Sequence, residues 1–219
     1  MKPYYSHAGI TIYHGDCREI VLQLEEVNSV ITDPPYGIGF TRYESHDDDP
    51  ARYSELMREI IPDLEGCINN GWMCVFQAAK TAPMWSERFG KTWRPIALPK
   101  TFVQILPCIG PTWATDYALL WPIGEPVQKG KLRDWFVCET SDMSKRPAGH
   151  PCPRPLNGMR FLVEALTEPD DLILDAFMGS GTTLVDAKQL NRRAIGIEIE
   201  EKYCEIAAKR LSQEVFDFK

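Results

Sequence analysis

A chain of 219 residues with a formal net charge of −7 is long enough to bury one substantial core and suggests a single domain, 1–219, with a small insertion. No stretch reaches the roughly 18 uninterrupted apolar residues of a membrane span, and Met1–His7 lacks an apolar signal core, so a cytoplasmic protein with no membrane partner is expected. The seven cysteines form no C-x-x-C pair and no Cys/His spacing of a zinc site, which argues for reduced structural thiols and no metal.

In chain order, Gly9 to His14 alternates as a strand that Gly15-Asp16 breaks. Asp16 and Glu19 have capping-box spacing for a helix over 17–25, whose apolar face is Ile20, Val21 and Leu24. An apolar strand, Val30-Ile31-Thr32, then ends at Asp33. A helix over 53–66 and a strand over 72–76 follow, with further strands at 94–98, 101–106 and 115–121. Residues 122–153 are rich in Pro, Gly and charge without a clean period and read as a loop-rich insertion. Helical spacing resumes at Leu156, Met159, Leu162, Val163 and Leu166, with Pro155 in a first-turn position. A buried strand at 171–175, a helix at 182–190, a strand at 193–199 and an amphipathic helix at 201–213 complete the chain. Strands alternating with helices imply an α/β fold, a doubly wound and mostly parallel sheet. Ligands of such sheets sit outside the carboxyl ends of the strands, and that rule gathers Asp16, Asp33, Asp175 and Glu198 at one edge.

Two peptides there carry chemistry. Asp33-Pro34-Pro35-Tyr36 places an acceptor carboxylate, a rigid turn and an aromatic ring side by side past a strand end. A planar exocyclic amine needs acceptors for its N–H groups and a ring on which its base can stack. Asp-Pro-Pro is also simply a good turn former, and this bland reading competes for the four residues taken alone. The second peptide, Asp175-Ala176-Phe177-Met178-Gly179-Ser180-Gly181-Thr182-Thr183, reads as strand, glycine loop and helix start. Its loop has Leu184 where the dinucleotide fingerprint wants a third glycine and has no P-loop lysine, so phosphate binding is disfavoured. Gly179 and Gly181 still let the backbone approach a ligand closely. Glu198 follows Asp175 at the end of the next strand, near the spacing of about 20 residues expected of a carboxylate gripping a ribose diol.

Taken together, these peptides resemble the amino-methyltransferases of DNA, which use S-adenosylmethionine to methylate N6 of adenine or N4 of cytosine. His150-Pro151-Cys152-Pro153-Arg154-Pro155-Leu156 is similar to the segment that precedes the cofactor loop in that family, usually H-P-T-Q-K-P-L. The resemblance implies a Rossmann-like methyltransferase sheet. It also implies that Asp175 and Phe177 contact the cofactor's amino-acid end, Glu198 its ribose and Asp16 its adenine amine. Gly179, Ser180, Gly181 and Thr182 would form the loop around it. Asp33, Pro34, Pro35 and Tyr36 would hold a base swung out of the duplex for direct in-line transfer. The catalytic peptide precedes the cofactor loop, a circular permutation that marks the beta class. In protein and RNA amine methyltransferases with a similar N-P-P-Y peptide the cofactor loop usually comes first. Asp at the first catalytic position is typical of the adenine enzymes and Ser of the cytosine-N4 enzymes. Adenine-N6 is therefore expected, with cytosine-N4, RNA or protein amines, and a silent DNA-binding relic as alternatives. Cys108 and Cys152 each follow a proline, but neither is followed by the Gln usual around a cytosine-C5 nucleophile, so a covalent mechanism is not expected.

The acidic total hides a basic middle. Residues 71–160 carry 12 Lys/Arg against 6 Asp/Glu, whereas 1–70 carry 5 against 13 and 161–219 carry 7 against 12. Phosphate contact needs only a local cationic face, and Lys129, Lys131 and Arg133 in the insertion are candidates for it. A recognition segment so short fits a short target, loose specificity or help from a second copy in a homodimer.

Overall fold

The computed structural model describes residues 1–37, 49–87, 90–101, 115–126, 132–139 and 156–212. The strands are β1 (Tyr5–His7), β2 (Ile10–His14), β3 (Ser29–Thr32), β4 (Gly71–Gln77), β5 (Arg94–Pro99), β6 (Thr115–Ile123), β7 (Leu172–Asp175) and β8 (Arg193–Glu198). The helices are α1 (Cys17–Ile20), α2 (Pro50–Gly66), α3 (Pro83–Glu87), α4 (Leu156–Leu166), α5 (Thr182–Gln189) and α6 (Glu201–Ser212). One eight-stranded sheet runs in the order β1-β2-β8-β7-β3-β4-β6-β5. The strands from β2 to β4 in that order are mutually parallel, while β1 and β6 pair antiparallel to their neighbours.

Alternation along the strands divides the core in two. Ile31, Cys74, Phe76, Ala118, Leu120 and Ile173 face one layer, filled by α4, α5 and α6. Their neighbours Val30, Met73, Val75, Leu119, Trp121 and Leu174 face the other, filled by α1, α2 and α3. All four residues of β3 are buried, as a central parallel strand covered on both faces requires. The crossover β7–α5–β8 leads one way along the sheet with its helix on the first face. The crossover β3–α2–β4 leads the other way with its helix on the second. The topological switch point therefore falls between β7 and β3, the two strands that precede the two chemical peptides.

Some boundaries differ from those expected. The first helix turns 3₁₀ at Val21–Gln23 and stops there, short of residue 25. Helix α2 starts at Pro50 rather than 53, because the Asp49 side chain accepts from the N–H groups of Ala51 and Arg52 and Pro50 suits the first turn. β1 and α3 were not anticipated. The expected strand at 101–106 lies outside the described residues from 102 onward, as do His150 to Pro155. β6 runs through Ile123, and part of the expected loop-rich insertion is ordered against β5. Ala97 N–H donates to Asp134 O (2.8 Å), Phe136 N–H to Ala97 O (2.9 Å) and Cys138 N–H to Pro99 O (2.7 Å). Phe136 and Cys138 alternate inward, and Phe136 stacks on Phe161 of α4 with ring centroids 4.7 Å apart. The five described cysteines are free and buried.

Gly196 of β8 lies directly under the loop that follows β7. A Cβ there would run into Met178 Sδ and Leu184. Gly196→Ala should therefore destabilise the protein by about 1–3 kcal/mol through overpacking, a cost to be read from urea denaturation midpoints.

Candidate active site

The carboxyl ends of four adjacent parallel strands carry a row of acids. Asp16 follows β2, Glu198 ends β8, Asp175 ends β7 and Asp33 follows β3. At about 4.8 Å per strand the row spans roughly 15 Å. Next along the edge come Gln77, which ends β4, then Asp116 near the start of antiparallel β6, and Lys100 just past β5.

At the switch point, Thr32 Oγ1 donates to Asp175 Oδ1 (2.8 Å), which ties the end of β3, one residue before Asp33, to the acid that ends β7. Phe177 N–H also donates to Asp175 Oδ1 (3.2 Å), and Thr183 bonds the same carboxylate. Asp175 is 2% exposed, and its pKa is pushed up to about 6, chiefly by burial and to a lesser degree by the nearby Asp33. Tyr36 Oη donates to Asp33 Oδ1 (2.6 Å), which folds the ring against the carboxylate. Pro34 is buried and Pro35 half-buried between them.

The loop after β7 turns on Gly179 (φ +50°) and Gly181 (φ +77°), both in the left-handed region. Its backbone is held from two sides. Glu198 Oε2 accepts from Gly179 N–H (2.9 Å), while Oε1 accepts from Glu200 N–H (2.8 Å). Burial pushes the Glu198 carboxyl to about 7. From α6, Arg210 Nη1 donates to Ser180 O, to Ser180 Oγ (3.3 Å) and to Thr182 Oγ1 (3.4 Å). The Ser180 and Thr182 hydroxyls thus meet α6, and Thr183 is the loop hydroxyl that meets Asp175. Phe177 is half-buried beside the second-face core. Asp16 caps α1 by accepting from Arg18 N–H (2.9 Å), and the Arg18 guanidinium, 2.6 Å away, lowers its pKa.

Arg210, Thr32, Thr183, Asp116 and Lys100 were not singled out from the sequence. Lys100 Nζ donates to Asp116 Oδ1 (3.0 Å) and lies 2.9 Å from Oδ2, while burial raises the Asp116 pKa. Only Thr32 and Thr183, adjoining or inside the two peptides, carried a local sequence signal. Of the basic candidates, Lys129 and Lys131 lie outside the described residues. Arg133 is exposed, 6.0 Å from the Trp135 ring centroid. Among the described residues no His/Cys/Asp/Glu cluster could hold a metal, and no helix is long and apolar enough to cross a membrane.

This donor set suits a nucleoside with a cationic arm. Asp175 and Glu198 accept only from N–H and O–H groups, and the charges that chiefly reach them belong to other carboxylates, so an entering ammonium would relieve their mutual repulsion. A three-layer α/β sheet with acids and a glycine loop at its switch point is the architecture that places a ligand site at that crevice.

Comparison with known proteins is specific. The N6/N4 methyltransferase family, described as DNA methylase, matches residues 85–209. Type II methyltransferase M2.DpnII of Streptococcus pneumoniae is 44% identical, covering 97% of this chain and 93% of the relative. The crystal structure of the M1.HpyAVI–SAM complex superposes with a TM-score of 0.68 at 27% identity, over 93% of this chain and 100% of that one. The cytosine-N4-specific PvuII DNA methyltransferase shares the fold, with a TM-score of 0.77 at 18% identity over 99% and 91% of the two chains. The chain belongs to the N6/N4 DNA methylase family.

Asp175 and Glu198 bind a proton more tightly when folded than when unfolded, where carboxyls titrate near pH 4. Their contribution to stability is therefore complete below about pH 4 and is lost as pH rises through about 6 to 7. The melting temperature of the ligand-free protein should fall over that interval. Glu198→Gln should flatten the fall, which differential scanning fluorimetry across pH would register.

Proposed function

We propose that the chain is an S-adenosylmethionine-dependent DNA methyltransferase of the beta class that methylates N6 of adenine. The observation that carries this reading is that the catalytic peptide and the glycine loop leave the neighbouring strands β3 and β7 at the switch point, where Thr32, the residue before Asp33, bonds Asp175. The order of the peptides along the chain, with Asp33-Pro34-Pro35-Tyr36 first, supports the permuted class. Asp at the first position of the catalytic peptide supports adenine.

Asp175 and Phe177 hold the cofactor's amino-acid end, the loop Gly179–Thr182 lines it, Glu198 takes its ribose and Asp16 its adenine amine. When bound, S-adenosylmethionine supplies an electrophilic methyl group. Asp33 and the Pro34 carbonyl accept the N–H groups of the target amine and aim its lone pair. Tyr36 stacks on the flipped base after its hydroxyl leaves Asp33. Asp33 need not take a proton beforehand, because the amine becomes acidic once alkylated. Positioning and preorganised acceptors supply the acceleration. Lys129, Lys131 and Arg133 contact phosphates, and a homodimer would enlarge a small recognition surface.

Sequencing modified bases in DNA from cells expressing the chain tests the reading directly: N6-methyladenine at a recurrent site is expected, and N4-methylcytosine would transfer the assignment to cytosine. Asp33→Ala should lower kcat on the order of 10²–10³-fold, with Asp33→Asn less impaired. Tyr36→Trp should outperform Tyr36→Ala, and neither should abolish cofactor binding. Glu198→Ala should weaken S-adenosylmethionine by roughly 1.5–3 kcal/mol for each charge-assisted bond lost, as calorimetry would show.

A further inference from the structure

The segment 134–138 extends the sheet beyond β5. Its inward residues, Phe136 and Cys138, join the core on the α4 side. Its outward residues, Trp135 and Val137, are 51% and 43% exposed, and Leu132 is 36% exposed beside them. On the same outward side of β5, Pro95 is exposed and Ala97 and Pro99 are half-buried, and no helix among the described residues covers this end of the second face. Isolated exposed apolar residues are ordinary, but three large ones within six positions at one sheet margin form a patch. One cation stands within the patch, although the exposed Asp134 and Glu139 lie on either side of Trp135 and Val137. The guanidinium of Arg133 lies 6.0 Å from the Trp135 ring centroid, and Lys129 and Lys131 precede it in the sequence.

We infer that Trp135, flanked by Leu132 and Val137, extends the DNA contact of Arg133, the indole packing on a deoxyribose of the duplex backbone beside the phosphate that the guanidinium meets. The inference rests on the assignment of DNA as substrate. An apolar ring next to a cation suits a duplex backbone without reading its sequence, because every nucleotide presents a sugar and a phosphate on the outside. A purely apolar partner surface would gain nothing from Arg133. Distance decides whether the patch can serve the same DNA as Asp33. Four strand spacings, from β3 across β4, β6 and β5 to 134–138, amount to about 19 Å. At 3.4 Å per nucleotide along a strand, that is about six base pairs from the target, well within reach of a duplex lying on the edge.

The test uses the full chain and a fluorescein-labelled duplex of about 20 base pairs, with affinity read by anisotropy over a range of salt. Trp135→Ala should weaken binding about fivefold or more, and Trp135→Phe should recover most of the loss. Arg133→Gln should lower the salt slope by about one. S-adenosylmethionine affinity, melting temperature and sedimentation should not change in any of the three. Unaltered duplex affinity in Trp135→Ala overturns the inference. A change in sedimenting mass overturns it as well, by assigning the patch to a second copy of the chain. Because binding is read without turnover, a failure of adenine methylation in the wild-type protein would appear separately and leave this result interpretable.

Discussion

One carboxylate organises the site. Glu198 spends both oxygens on backbone N–H groups, one from Gly179 in the loop after β7 and one from Glu200 at the entrance to α6. A loop turning on two left-handed glycines has little intrinsic preference for one shape, so its conformation depends on what its polar groups are tied to. Glu198 ties it to the next strand, and Arg210 ties it to the next helix through the Ser180 carbonyl. The loop's main chain is thereby fixed by side chains of the strand and the helix that follow it. That explains how a two-glycine loop without a lysine can hold a defined shape.

The row of acids along the sheet edge is managed differently at its ends and in its middle. At one end Asp16 is paired with Arg18, and at the other Asp116 is paired with Lys100. In the middle, Asp175 and Glu198 receive neutral donors only, and both are held above the usual carboxylate range by burial. An apposed positive charge would be worth most in the middle, where the dielectric is low and the neighbouring charges are negative. The polarity of the edge therefore selects the orientation of a ligand with one cationic end.

The sheet and the main site residues could be read from the sequence because each of those strands ends in a single acid after an apolar run. Asp33, Asp175 and Glu198 stand where that pattern puts them. What could not be read depends on contacts between distant segments. Arg210 lies in an amphipathic helix 30 residues from the serine it holds, and nothing local separates it from any basic residue in a last turn. Lys100 and Asp116 become partners only because β5 and β6 pair with Leu98 opposite Asp116. Residues 134–138 gave no periodic signal in a segment dense with charge. Their order comes from β5, whose free edge recruits them, and from Phe161, which receives Phe136.

That recruitment has a consequence for solubility and for divergence. A bare β5 would end the sheet in unpaired N–H and C=O groups, a template for edge-to-edge aggregation. The 134–138 segment occupies these groups at Ala97 and Pro99, so the sheet ends in this short irregular stretch and not in β5. Selection can then treat its two sides separately. Phe136 and Cys138 are held to size and polarity by the core, and Cys138 is further confined by Gly158, where any larger residue would collide with its sulfur. Trp135 and Val137 face outward, so a change at either would leave both the core and the backbone pairing with β5 in place.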